Sequence, residues 1–283
     1  MSDPADAFIT VPPRDVAGWV AALERRPLPV LESTALFLED MAQVEDTVDA
    51  HGLAPTLADD PLMTLRLLRQ VTSMRPDRDA GQVETVTEAL VMLGIPPFFR
   101  SVAPPLPTAE QALAHDPQAL EGFRAVLARA HRASRFALGF AIHRQDQDAA
   151  VIQQAALLHD FTELLLWVHA PQLAVRVTAR LRQEPGLRSV QAQQQELHVA
   201  LPELQQVLMH RWPLPELLVR ITDDQPNRLP QVRNVQLAIR LARHSAQGWD
   251  NPALPDDLAE IAQLLQLSPE HVAALVHEID APD

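Results

Sequence analysis

The chain contains no cysteine, no tyrosine and no lysine. Each absence removes a class of chemistry. Without cysteine there is no disulfide scaffold, no thiolate nucleophile and no cysteine zinc site. Without lysine there is no Schiff base and no P-loop lysine, and without tyrosine no phenolic acid or base. Glycine is scarce, eight in 283 residues, and no G-x-G pair occurs, so there is no dinucleotide or phosphate-cradling loop. Apolar runs such as Leu164 to Val168 are too short to cross a bilayer. The N-terminal MSDPADAFITVPPRD starts acidic and lacks the apolar core of a signal peptide, so the expected location is the cytoplasm. Positive charge is also short. A net charge of −14 and a pI near 5.1 argue against nucleic acid as a partner, because phosphate backbones demand a basic face. Whatever chemistry remains must use His, Asp, Glu, Arg, Ser or Thr.

What is present is a sequence of helical period. A hydrophobic share of 47% is ordinary for a folded domain. In "DDPLMTLRLLRQV", Asp60 is placed to cap a helix and Pro61 to occupy its first position, where a missing N–H costs nothing. Leu62, Leu65 and Leu68 follow on one face, with Arg66 and Arg69 on another. Ser268 and Pro269 repeat the device in "LSPEHVAALVHEI", and Asp256 and Asp257 stand in a predicted first turn, where the helix dipole favours carboxylates. The 25 prolines fall mostly between such segments, and no stretch alternates at period two for long enough to form a sheet. The predicted fold is all-α. The most plausible seam is "APPLPTAEQALAHDP", residues 103–117.

The candidate chemistry centres on "AALLHDFTELLLW". On a continuous helix His159 would share a largely apolar face with Ala155, Leu158, Thr162 and Leu166, with Asp160 one step around. One nitrogen and one oxygen make two adjacent metal ligands, but a catalytic metal needs at least three. A core histidine bonded to its neighbour is the commoner arrangement. His169 is expected near the end of the same helix, out of reach of a shared metal. His198, His210, His244, His271 and His277 lack any H-x-x-x-H or H-E-x-x-H spacing and read as surface or interfacial. The arginines from Arg124 to Arg144 read as a solvated helix edge, and Asp146 to Asp148 as a solvated acidic loop too short for calcium. Ser134 and Ser245 have no evident base or acid partner.

Four ordered segments carry a resemblance to a known family. "RPLPVLESTALFLEDM" with "LADDPLMTLRLLRQVTS" resembles the opening signature of HDOD domains, with Pro29, Asp60, Pro61, Leu62, Leu67, Leu68 and Ser73 fitting and Thr72 standing where asparagine is usual. "VETVTEALVMLGIPPFFRSV" is similar to the next element, closing on Leu93-Gly94. "AALLHDFTELLLW" resembles the G-L-L-H-D-I-G-K-L helix, and "LMHRWPLPELLVRI" the W-x-L-P segment, with Trp212, Leu214 and Pro215. The resemblance implies an HD-like helical bundle with an N-terminal helical half packed against it. It divides the chain into an N-terminal segment 1–26, an HDOD domain 27–245 made of halves 27–105 and 106–245, and C-terminal helices 246–283. The flanks are short, so output is expected to pass through contacts with other chains.

HDOD domains are related to metal-dependent HD phosphohydrolases, which use a histidine, a His-Asp pair and a distal aspartate. On that pattern the vestigial site comprises His159, Asp160, Arg132, Asp223, Asp224 and Ile239. Arg132 occupies the early histidine position, with His131 one residue off as a minor candidate, and Ile239 occupies the distal aspartate position. Thr162-Glu163 replaces the usual Gly-Lys, and Asp223 and Asp224 stand where a histidine pair is common. Arginine repels a divalent cation and isoleucine offers no lone pair, so no metal and no other cofactor is expected. Asp160 would then pair with Arg132 or a nearby arginine, since a buried carboxylate requires a partner. The favoured reading is a non-catalytic signalling or regulatory module, acting through protein partners or a small ligand in the vestigial cleft. The alternative is a metal-dependent phosphohydrolase or phosphodiesterase acting on nucleotides through His159-Asp160, with Asp223 or Asp224 as a candidate further ligand. A third reading is a nucleotide sensor in which Arg132 or Arg135 pairs with phosphate. Homodimerisation is left open.

Overall fold

Aspartate and proline open helices where the sequence predicts. In the computed structural model, which describes residues 7–74, 83–102, 105–184, 186–212, 214, 219–220 and 229–281, the regular structure is helical. The helices are α1 (Val16–Glu24), α2 (Glu32–Ala42), α3 (Ala50–Asp59), α4 (Pro61–Met74), α5 (Val86–Leu93), α6 (Ile95–Ser101), α7 (Ala109–Ala112) and α8 (Pro117–Arg144). They continue with α9 (Ala149–Leu158), α10 (Phe161–His169), α11 (Pro171–Gln183), α12 (Ser189–Leu197), α13 (Leu201–Arg211), α14 (Pro230–His244), α15 (Leu254–Leu265) and α16 (Pro269–Asp280). A single isolated bridge, Val30 with Thr108, is the only β pairing among the described residues. Among those residues no helix is long and apolar enough to cross a membrane.

The chain forms two compact units, each assembled from two stretches. One draws on Met1–Val126 and Phe161–Pro215, the other on Leu127–Asp160 and Glu216–Asp283. These divisions fall within α8 and immediately after the His-Asp doublet, not at the proline-rich seam 103–117. The seam therefore lies inside a unit, where Val30 and Ala109 exchange backbone bonds with their neighbours across the bridge.

In the first unit Asp60 does more than cap. Its Oδ1 accepts from the N–H of Leu62 at 2.8 Å and of Met63 at 3.0 Å, which starts α4. Its Oδ2 accepts from the N–H of Leu31 at 2.8 Å, which ties the entry of α2 to the same point. Burial pushes the Asp60 carboxyl above its usual range, while these N–H donors and Thr34 pull the other way. Leu62, Leu65 and Leu68 are fully buried, as their spacing predicts.

The resembling segments meet in this unit around Trp212, which is 2% exposed. Thr72 Oγ1 lies 3.4 Å from the Trp212 carbonyl, the Arg69 guanidinium lies 5.0 Å over the indole, and Phe161 stands 6.0 Å away at a tilt. Thr72 also returns its hydroxyl to Leu68 at 2.9 Å, the back-bond that lets a helical threonine be buried. A residue from the α4 motif, the residue after the His-Asp doublet and the W-x-L-P tryptophan thus share one core.

In the second unit α14 packs on α9 and on α15, and α15 packs on α16. Ser268 caps α16 through the N–H of His271, and Asp256 and Asp257 fall in the first turn of α15, both as predicted. Two expectations of solvation are corrected here. Of the α8 arginines, Arg129, Arg132 and Arg144 are largely buried and ion-paired, the first two with acids distant in sequence and Arg144 with Asp146 in the loop that follows. Asp146 is not a free loop acid either, since it receives Arg144 Nε at 3.1 Å.

Candidate functional site

The His-Asp doublet does not lie on a continuous helix. α9 ends at Leu158 and α10 begins at Phe161, leaving His159 and Asp160 as the link between them. His169 therefore ends α10, a different helix from the one that leads into His159. The His159 N–H reaches back three residues to Ala156 at 3.4 Å, a loose closing turn in place of an i−4 bond. No proline or glycine marks this break, and alanine, leucine and phenylalanine all continue a helical pattern across it. The single helix on which His159 was expected to share a face with Thr162 and Leu166 is therefore interrupted.

The break delivers the Asp160 carboxylate to two arginines. Arg129, on α8, places Nε at 3.0 Å and Nη2 at 2.9 Å from Oδ2. Arg243, in the last turn of α14, places Nη2 at 2.8 Å from Oδ1. His159 Nδ1 lies 2.9 Å from the same Oδ1. A carboxylate between two guanidiniums is ionised and only accepts, so Nδ1 of His159 carries the proton it shares. His159 and Asp160 are both buried. Burial alone would push the Asp160 carboxyl up, but Arg243, the His159 hydrogen bond and Arg129 together hold it well below the usual carboxylate range.

The other expected members of the site lie as follows. Arg132 is not the partner of Asp160. Its guanidinium binds Asp280 and Ser245, so the positive charge expected at the doublet comes from Arg129, one turn earlier on α8. Ile239 is buried on α14, one turn before Arg243. His131 is half-buried on α8. Asp223 and Asp224 lie outside the described residues. Ser245 gives its hydroxyl proton to the Leu241 carbonyl at 2.6 Å and accepts from Arg132, so it is not a nucleophile awaiting a base.

Sequence reasoning missed Arg129, Arg243 and Asp280. Helical spacing held a signal for the first two: Arg243 stands four residues after Ile239 and Arg129 three before Arg132, each on the neighbouring turn of the same face. It also missed a second cluster on α14. Asp257, 1% exposed, accepts both Nε and Nη2 of Arg240 on Oδ1, while His244 Nδ1 lies 2.5 Å from Oδ2. Glu260 completes it at 2.9 Å from Arg240.

The relationship to HD phosphohydrolases implies a divalent metal at the doublet, and these residues do not fit one. Each oxygen of Asp160 already faces a guanidinium, which a cation would have to displace against its own charge. Ile239 supplies no lone pair, and groups that only hydrogen-bond to a ligand cannot replace a missing one. Among the described residues, no three His, Asp or Glu side chains are grouped so as to hold a metal.

The comparisons with known proteins bear on the family through one match and on the fold through others. A model of the HDOD domain matches residues 28–227. The MmoQ response regulator of Methylococcus capsulatus str. Bath has a crystal structure similar to this one, with a TM-score of 0.67 and 21% identity over 88% of this chain and 97% of that one. A virulence factor of Campylobacter jejuni subsp. jejuni is similar with a TM-score of 0.64 and 16% identity, over 94% of this chain and 93% of that one. No curated protein matches the chain in sequence.

Proposed function

This chain belongs to the HDOD family, and we propose that it is a regulatory member without hydrolytic chemistry. In this reading it acts through contacts with partner proteins or by holding a small ligand near the doublet. One observation carries the proposal: both oxygens of Asp160 are committed to arginines, Oδ2 to Arg129 and Oδ1 to Arg243. A catalytic HD site needs this carboxylate as a metal ligand. Here it serves as the counter-ion that lets two guanidiniums sit together, and His159 completes the bond network. Removing the carboxylate would leave like charges facing each other, so its role is structural.

Metal analysis of protein purified without chelator tests this. We expect no stoichiometric metal and no turnover of nucleotide or phosphodiester substrates. Stoichiometric iron or manganese that disappears on Asp160→Ala would overturn the reading and restore the phosphohydrolase alternative.

A further inference from the structure

One turn beyond Arg129, α8 carries a second ion pair that the Asp160 cluster does not use. Arg132 donates from Nε to Oδ1 of Asp280 at 2.8 Å and from Nη2 to Oδ2 at 2.7 Å. This is the two-pronged geometry by which a guanidinium takes up an oxyanion. The fork is held from behind by groups that do not depend on Asp280. Ser245, 3% exposed, accepts from Nη2 at 3.0 Å, and the Phe136 ring centre lies 5.6 Å from the guanidinium carbon. Arg135, half exposed, brings a second guanidinium to 3.7 Å from Oδ1 of the same carboxylate. Two positive charges thus converge on one negative charge.

The carboxylate comes from the last turn of α16. That helix packs on α15, and Ile279, next to Asp280, covers Gly139 of α8. A Cβ at Gly139 would crowd the Ile279 side chain, which would have to shift to admit it.

We propose that Arg132 and Arg135 form a binding site for a phosphate group, and that Asp280 is its built-in occupant, a latch that leaves when phosphate binds. A dianionic phosphate balances both guanidiniums, where one carboxylate balances half of their charge. Its oxygens also fit the fork of Arg132 as the carboxylate does. Arg129, Asp160 and Arg243 take no part, so this site stands or falls separately from the proposed function. Displacing Asp280 releases the last turn of α16, and phosphate binding is thereby coupled to the order of that turn.

The test is titration of inorganic phosphate at constant ionic strength into wild type and Asp280→Asn, read by calorimetry. Asp280→Asn keeps the side-chain volume and removes the competing charge. It is expected to bind at least about tenfold more tightly than wild type, and binding is expected to vanish in Asp280→Asn/Arg132→Gln. A folded Asp280→Asn protein that binds no phosphate overturns the proposal. Equal affinity in wild type and variant, or binding that survives Arg132→Gln, overturns it too. If Asp280→Asn fails to fold, hydrogen exchange on wild type decides: phosphate should speed exchange at residues 277–281, and unchanged exchange there overturns the latch.

Discussion

Arg243 Nη2 lies 2.8 Å from Oδ1 of Asp160, one helical turn beyond Ile239 on α14. The last turn of α14 thus brings a guanidinium to the carboxylate of the doublet.

Asp160→Ala removes the counter-ion from two arginines. The loss should cost roughly 3–5 kcal/mol in urea denaturation, the range for breaking one side of a buried pair. Arg129→Ala should cost more than Arg243→Ala, because the Arg129 side chain is 21% exposed and that of Arg243 44%. If Asp160→Ala unfolds at the wild-type midpoint, the carboxylate is not structural.

His169 at the end of α10 is largely buried, and burial followed by the nearby Arg26 charge lowers its pKa from 6.5 to about 4. The unfolded chain therefore binds this proton more readily, and stability should fall as pH drops from about 6.5 to about 4. Asp160 acts in a lower window: its contribution is present above the ordinary carboxylate range and is lost as pH falls through its depressed folded value. Denaturation of wild type and His169→Gln between pH 4 and 7 separates the two. Parallel curves would show that His169 does not titrate on unfolding in this range.

Gly122→Ala sets two effects against each other. Alanine gains about 1 kcal/mol of helix propensity over glycine. The new Cβ, however, would stand 2.3 Å from the Trp167 Cη2 and 2.4 Å from its Cζ2, and a rigid indole cannot fold aside. Overpacking of this kind costs roughly 1–3 kcal/mol, so a net loss in thermal midpoint is expected. A variant more stable than wild type would mean that Trp167 has room to move.

Leu158 closes α9 directly before the doublet and is fully buried. Leu158→Ala should cost roughly 2–5 kcal/mol in chemical denaturation. A cost under about 1 kcal/mol would show that the end of α9 collapses onto the cavity without loss.

The sequence by itself determined the helical architecture, several of its caps and the family. Asp60 with Pro61 and Ser268 with Pro269 act locally, through hydrogen bonds that span two or three residues, so their chemistry is readable in the chain. That Ile239 offers no ligand atom was legible too, since isoleucine lacks a lone pair in any fold. What only the tertiary structure decided was the pairing of charges. Arginine has a long side chain with five donors, and sequence alone does not say which of Arg129, Arg132 and Arg135 reaches which acid. Asp160 lies 83 residues from Arg243, and Asp280 lies 148 from Arg132, so only the packing of α14 on α9 and the approach of Ile279 to Gly139 select these partners. The break at His159-Asp160 was hidden likewise. Its residues favour a helix, and the break between α9 and α10 is visible only in the folded chain.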